Sequence, residues 1–123
     1  MIIAVDADGT LWRDYYPAIG KPKRIVLWCL RRIQRRGYRL ILNTCRTQGI
    51  AEIVATMWAM EGIWFQAVNE NLLDRIAAFG GDSRKISCDY GLDDRYCCSV
   101  TLRALWLWLR LCVFSKHPNP KGD

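Results

Sequence analysis

The chain has 123 residues, a formal net charge of +6, 51% hydrophobic and 24% charged residues, which is the size and composition of one globular domain with little room for a second. Six cysteines, at positions 29, 45, 88, 97, 98 and 112, include no C-x-x-C pair, and His117 is the only histidine, so a zinc site is not expected. The positive charge favours acidic partners, phosphorylated metabolites or nucleic acid, without choosing between them.

No basic region precedes the apolar start, so a signal peptide is not expected, and the cysteines read as reduced thiols of a cytoplasmic protein. Ile2 to Val5 reads as a short, fully buried strand, ended at once by Asp6, Asp8 and a turn at Gly9. Two carboxylates at the end of a buried element repel each other, and a bound cation or catalytic use is the expected compensation. Residues 9–21 read as a polar and aromatic connection. Pro22 suits the first position of a helix, in which Val26, Cys29, Leu30 and Ile33 recur at helical spacing until Gly37 ends the run. The opposite face carries Arg31, Arg32, Arg35 and Arg36.

Tyr38 to Asn43, YRLILN, reads as a second buried strand. A second helix follows, with Ile50, Ile53, Val54, Met57 and Trp58 on one stripe and Gly62 as its stop. Phe65 to Val68 is a third strand, Leu72 to Phe79 a short helix, and Ile86 to Leu92 a fourth strand running into Asp93 and Asp94. A last helix spans Val100 to Phe114, and residues 115–123 form a polar tail.

This alternation predicts one α/β domain over residues 1–114, a three-layer sandwich around a parallel, Rossmann-like sheet. Ligands of such sheets sit beyond the carboxyl ends of the strands. The rule brings together Asp6 and Asp8, Thr44 and Arg46, Asn69 and Glu70, and Asp93 and Asp94. That many carboxylates in one crevice make chemical sense with a metal ion among them.

At this point the motifs resemble a family. VDADGTL is similar to the first motif of the haloacid dehalogenase (HAD) superfamily, LNTCR to the second and GLDD to the fourth. Lys85 is the candidate for the lone cation of the third motif, with Arg84 beside it. YPAIG, TCR, AVNEN and DYGLDDR resemble a small, essentially capless bacterial and phage branch of HAD phosphatases.

The resemblance implies Mg²⁺-dependent hydrolysis of a phosphomonoester. Asp6 would attack phosphorus to form an aspartyl phosphate, and Asp8 would protonate the leaving oxygen and then activate water. Gly9 would turn its N–H groups toward the phosphoryl oxygens, Thr10 would hold the turn, and Thr44 would donate its hydroxyl to the transferring group. Lys85 would neutralise charge on those oxygens. Asp6, Asp93, Asp94 and the backbone carbonyl of Asp8 would bind Mg²⁺, which prefers hard oxygen ligands.

Around this centre the readings stay open. Arg46 either contacts phosphate or ties down an acid such as Asp94. Asn69 either touches substrate or stabilises its loop, and Cys45, beside the phosphate site, reads as a small packing residue. Substrates compatible with an open site are a sugar phosphate, a nucleotide or a phosphorylated nucleic-acid end.

RRIQRR reads as a solvated helix face, and no aromatic residue is interleaved with it, so direct nucleic-acid binding is not expected. The last helix, TLRALWLWLRLCVF, is apolar nearly all round but shorter than the ~20 residues of a membrane crossing, and core packing or a homodimer contact is expected of it. The alternative to an enzyme is a phosphate- or nucleotide-binding module that docks to a partner through this helix.

Overall fold

The computed structural model describes residues 1–15, 18–82, 85–96 and 99–114. In chain order its elements are β1 (Ile2–Val5), β2 (Trp12–Tyr15), β3 (Ala18–Pro22), α1 (Arg24–Arg35), β4 (Arg39–Leu42), α2 (Ile50–Thr56), β5 (Ala67–Val68), α3 (Leu73–Phe79), β6 (Tyr90–Leu92) and α4 (Val100–Trp108). Strands β5-β4-β1-β6 form one sheet in that order, and every pairing within it is parallel. The chain moves outward from β1 to β4 and β5, then returns to pair β6 on the other side of β1. That reversal opens a crevice between β1 and β6, at the ends that carry Asp6 and Asp93.

Side-chain alternation divides the core. Ile3, Val5, Leu40 and Leu42 face a cluster built from α1, α2 and α4, while Ile2, Ile41 and Ala67 face a smaller cluster with Leu72, Ile86 and Cys88. The layers are therefore helices, sheet, and a thin cover of α3 with the segment before β6. The α/β sandwich expected from the sequence is the fold observed.

Four expected boundaries move, each for a local reason. Residues 9–21 are not a plain connection: β2 and β3 pair as an antiparallel hairpin, anchored by the buried Trp12. β3 is mostly exposed and contains Gly20 and Pro22, so no hydrophobic alternation marks it as a strand. Pro22 pairs with Trp12 in that hairpin and does not open α1; the Lys23 N–H still donates to the Leu11 carbonyl (2.9 Å), and the helix begins at Arg24.

The third strand starts at Ala67: the Gln66 N–H still donates to the Leu40 carbonyl (2.9 Å), but its side-chain Oε1, in place of a backbone carbonyl, accepts from the Leu40 N–H at 3.0 Å. The fourth strand is only Tyr90–Leu92. Asp89 closes it off, its N–H donating to the Ile2 carbonyl and its carboxylate accepting from the Ile2 N–H, both at 2.8 Å.

α2 widens into a π-helical turn, Met57–Glu61, that stops at Gly62 with φ +68°, and α4 continues as a similar turn over Leu109–Val113. α4 is capped by Ser99, whose hydroxyl accepts from the Leu102 N–H (3.3 Å). It buries Val100, Ala104 and Leu107, and its π-helical turn buries Leu111. Trp108 meets the Trp28 ring of α1 edge to face, with centroids 4.8 Å apart. Packing against the domain is thus the role of one face of α4, while Leu102, Trp106, Val113 and Phe114 stay exposed. No helix among the described residues is long and apolar enough to cross a membrane. Arg84, His117 and the rest of the tail lie outside the described residues, as do Cys97 and Cys98; Cys29, Cys45, Cys88 and Cys112 are free thiols.

Candidate functional site

β1 carries Asp6 to the crevice, and the Asp6 N–H donates to the Leu92 carbonyl (2.9 Å), so β6 stays in register up to the point where Asp93 and Asp94 emerge. One carboxylate oxygen from each of Asp6, Asp93 and Asp94 lies within 4.8 Å of the others. The fully buried Thr10 ties the two strand ends together. Its hydroxyl accepts from the Asp94 N–H (3.2 Å) and donates to Asp6 Oδ2 (3.5 Å).

The turn that allows this is closed by the Thr10 and Leu11 N–H groups on the Ala7 carbonyl, 3.1 and 2.9 Å, with Gly9 at φ +86°. A Cβ at position 9 would run into the Asp94 carboxylate, 2.7 Å from its Cγ. The Gly9 N–H does not face the crevice as expected; it donates to the Trp12 carbonyl (2.9 Å). Its contribution is therefore space and conformation. Gly9→Ala is expected to cost about 1–3 kcal/mol of stability, through backbone strain and displacement of the Asp94 carboxylate, and chemical denaturation of the variant checks it.

The two aspartates of the first motif sit in opposite electrostatic settings. Burial, with the negative charge of Asp93 second, pushes the Asp6 carboxyl up to about 7. Asp8 is held below the usual carboxylate range, first by its hydrogen bonds from Arg46. The Arg46 Nε donates to Oδ2 (2.7 Å) and Nη2 to Oδ1 (2.8 Å), a bidentate pair that Trp12 Nε1 completes at 2.8 Å. Arg46 is thus a tie to an acid, and the acid is Asp8 rather than Asp94. The Asp8 carboxylate stands outside the three-carboxylate cluster.

Thr44 follows β4 and is placed by Asn69, which follows β5. The Asn69 amide accepts from the Thr44 N–H (2.7 Å) and donates to the Thr44 carbonyl (2.8 Å). Asn69 adopts φ +54°, a left-handed conformation that asparagine tolerates. It acts on the site by positioning Thr44. The Thr44 hydroxyl accepts from the Arg46 N–H (3.1 Å) and keeps its own proton for donation.

A cleft of about 380 Å³ unites Asp6, Asp8, Thr44, Cys45, Arg46 and Asp94, and adds two residues that strand-end reasoning does not select, Asp14 and Arg95. Asp14 arrives on β2, so recognising it requires the hairpin; Arg95 directly follows the paired acids. Lys85 is elsewhere. It lines a second cleft of about 490 Å³ on the other flank of Asp6, shared with Asn43 and Asp93. Asp6 is the wall common to both clefts, and Lys85 and Thr44 approach it from different sides.

Fold and site together define an α/β domain with a carboxylate-lined crevice at the switch point of a parallel sheet. No protein-family model matches the chain, and no curated protein matches it. Among solved structures it is similar to a conserved protein from Bacteroides thetaiotaomicron, 29% identical, with a TM-score of 0.74 over 89% of this chain and 91% of that one.

Proposed function

We propose that the chain is a Mg²⁺-dependent phosphomonoester hydrolase of the HAD type, working through an aspartyl phosphate. The observation that carries this reading is the convergence of Asp6, Asp93 and Asp94 oxygens at the switch point, with the Thr44 hydroxyl in the same cleft as Asp6 and Asp94. The donor set is all carboxylate, which suits Mg²⁺, and burial first, then the charge of Asp93, disfavour the ionised Asp6 carboxyl, a cost that a bound cation would offset. Asp6, Asp93 and Asp94 would hold the ion, with the Asp8 carbonyl that the family resemblance implies. Bound there, it would neutralise phosphoryl charge and keep Asp6 ionised.

Asp6 Oδ attacks phosphorus while the bond to the leaving oxygen breaks, and Thr44 donates to a phosphoryl oxygen. Water then attacks the aspartyl phosphate, releasing phosphate and restoring Asp6. Asp8, kept ionised by Arg46, is set to take the proton of that water. Giving a proton to the leaving oxygen requires Arg46 to loosen its hold. Lys85, on the far flank, supplies positive charge beside Asp6. The cleft volume suits a small phosphorylated metabolite, a sugar phosphate or a nucleotide, or the phosphorylated end of a nucleic acid.

The bidentate Asp8–Arg46 pair favours the second reading, a phosphate- or nucleotide-binding module with minor catalysis. Steady-state hydrolysis of an aryl phosphate separates the two. The hydrolase reading expects turnover that EDTA abolishes and Mg²⁺ restores. Calorimetric binding of Mg²⁺ and phosphate with no turnover above background assigns the module instead.

A further inference from the structure

Within α1, the Arg32 guanidinium stacks over the Trp28 ring, 4.3 Å from its centroid, and the fold brings two further indoles to the arginine face from the segment after α2. Arg24, Arg31 and Arg35 lie at i, i+7 and i+11, one stripe of α1. Glu61, in the π-helical turn after α2, accepts from both Arg24 (3.2 Å) and Arg31 (2.7 Å). Gln34 grips the neighbouring Trp64 through both backbone groups, its Oε1 accepting from the Trp64 N–H at 3.0 Å and its Nε2 donating to the Trp64 carbonyl. Trp64 in turn meets Trp58 edge to face, ring centroids 5.7 Å apart. These two indoles are 48% and 58% exposed, and Met60 beside them is 76% exposed.

The result is a pair of open indoles bordered by three guanidiniums against one carboxylate. Large aromatic rings left in water at this density mark a binding surface. The net positive frame selects a polyanion and opposes a second copy of this chain, which would bring like charge to like charge. Among polyanions, indoles set beside guanidiniums fit bases with their phosphates: the rings stack on bases, and arginine forks pair with the backbone. We propose that this face binds single-stranded nucleic acid. The indoles lie at the start of β5, the opposite end of the sheet from Asp6, while the arginine stripe runs up α1 to Arg24, next to the Lys23 whose Nζ donates to the Gly9 carbonyl (2.7 Å). None of the indoles or arginines of this face lines the carboxylate cleft, so the proposal does not depend on the hydrolase reading.

The test titrates the intact chain with a dT oligonucleotide, following tryptophan fluorescence at several salt concentrations. Poly-glutamate and vesicles rich in phosphatidylserine serve as competing anions. Quenching is expected with the oligonucleotide, with log K falling against log salt at a slope of about −2 for three guanidinium–phosphate contacts. Trp64→Ala is expected to weaken binding at least about fivefold at every salt concentration, the loss of one stacked base. Arg35→Glu is expected to weaken binding and flatten the salt slope by about one phosphate contact. Both side chains are exposed or on an outer face, and circular dichroism confirms that the variants are folded. No binding of the oligonucleotide overturns the proposal. So does equal or tighter binding of poly-glutamate, which makes the face a docking site for acidic protein, or binding of the vesicles alone. Oligonucleotide binding that both variants leave unchanged moves the site elsewhere and overturns it too.

Discussion

On the proposed mechanism, Asp6→Asn is expected to lower Mg²⁺-dependent phosphatase turnover by about 10³-fold or more, because the carboxamide cannot form the aspartyl phosphate. The amide is nearly isosteric, and the hydrogen bond from Thr10 at 3.5 Å has an acceptor in the carboxamide as well, so the fold should persist. The loss should fall on kcat, with substrate and phosphate affinity little changed, since Thr44 and a cation held by Asp93 and Asp94 would still bind the phosphoryl group. Burst-phase trapping of phosphoenzyme checks the assignment directly: wild type labels and the variant does not. Turnover unchanged in Asp6→Asn would sink the mechanism.

The same substitution should stabilise the protein where no Mg²⁺ is present. Asp6 has a usual value of 3.8 and is raised to about 7 in the fold, so the folded state binds its proton more tightly than the unfolded chain does. Its contribution to stability is complete below pH ~3.8 and is lost as pH rises through about 7. In EDTA, the wild type should lose stability across that window, while Asp6→Asn, with no charge to place beside Asp93, should not. Asp8 runs the other way: its lowered value contributes stability that is present above the usual 3.8 and lost as pH falls. The Asp6 carboxyl is only half-buried, so solvent screening reduces the effect; a difference in Tm of about 5 °C between the two proteins at pH 8 is the expected scale. Saturating Mg²⁺ should close most of that gap. Thermal melts at pH 5 and pH 8, with EDTA and with Mg²⁺, give the comparison. A wild type as stable as the variant at pH 8 in EDTA would show that the three carboxylates do not strain the fold.

These two expectations describe one trade. On the proposed mechanism, the site gathers three carboxylates around the half-buried Asp6, a cost to the metal-free chain that a bound cation would offset.

Much of this centre is legible in the linear chain. β1, β4 and the run that contains β6 end in polar residues, and the doubly wound rule carries their ends to one side of the sheet. Asp6, Thr44, Asp93 and Asp94 follow from that alone. Gly62 marks the end of α2 because only a left-handed residue turns the chain there. The hairpin is not legible: its second strand is exposed, lacks alternation and carries Gly20 and Pro22, so Asp14 is missed with it. The lengths of β5 and β6 are not legible either, because side chains of Gln66 and Asp89 replace or close the backbone ladder.

What the sequence determined by itself is therefore the alternation of elements and the residues at strand ends, since hydrophobic period and breaker residues are properties of a few neighbours along the chain. Only the tertiary structure decided who meets whom across elements. Arg46 could serve phosphate or an acid until the fold brought it onto Asp8, 38 positions away. Lys85 could have entered the Thr44 cleft until the segment before β6 carried it to the far flank of Asp6. The arginines of α1 could be a plain solvated face until the segment after α2 set two indoles beside them. Partners of this kind are chosen by packing between distant segments, where many arrangements satisfy the same local preferences and only the common core selects one.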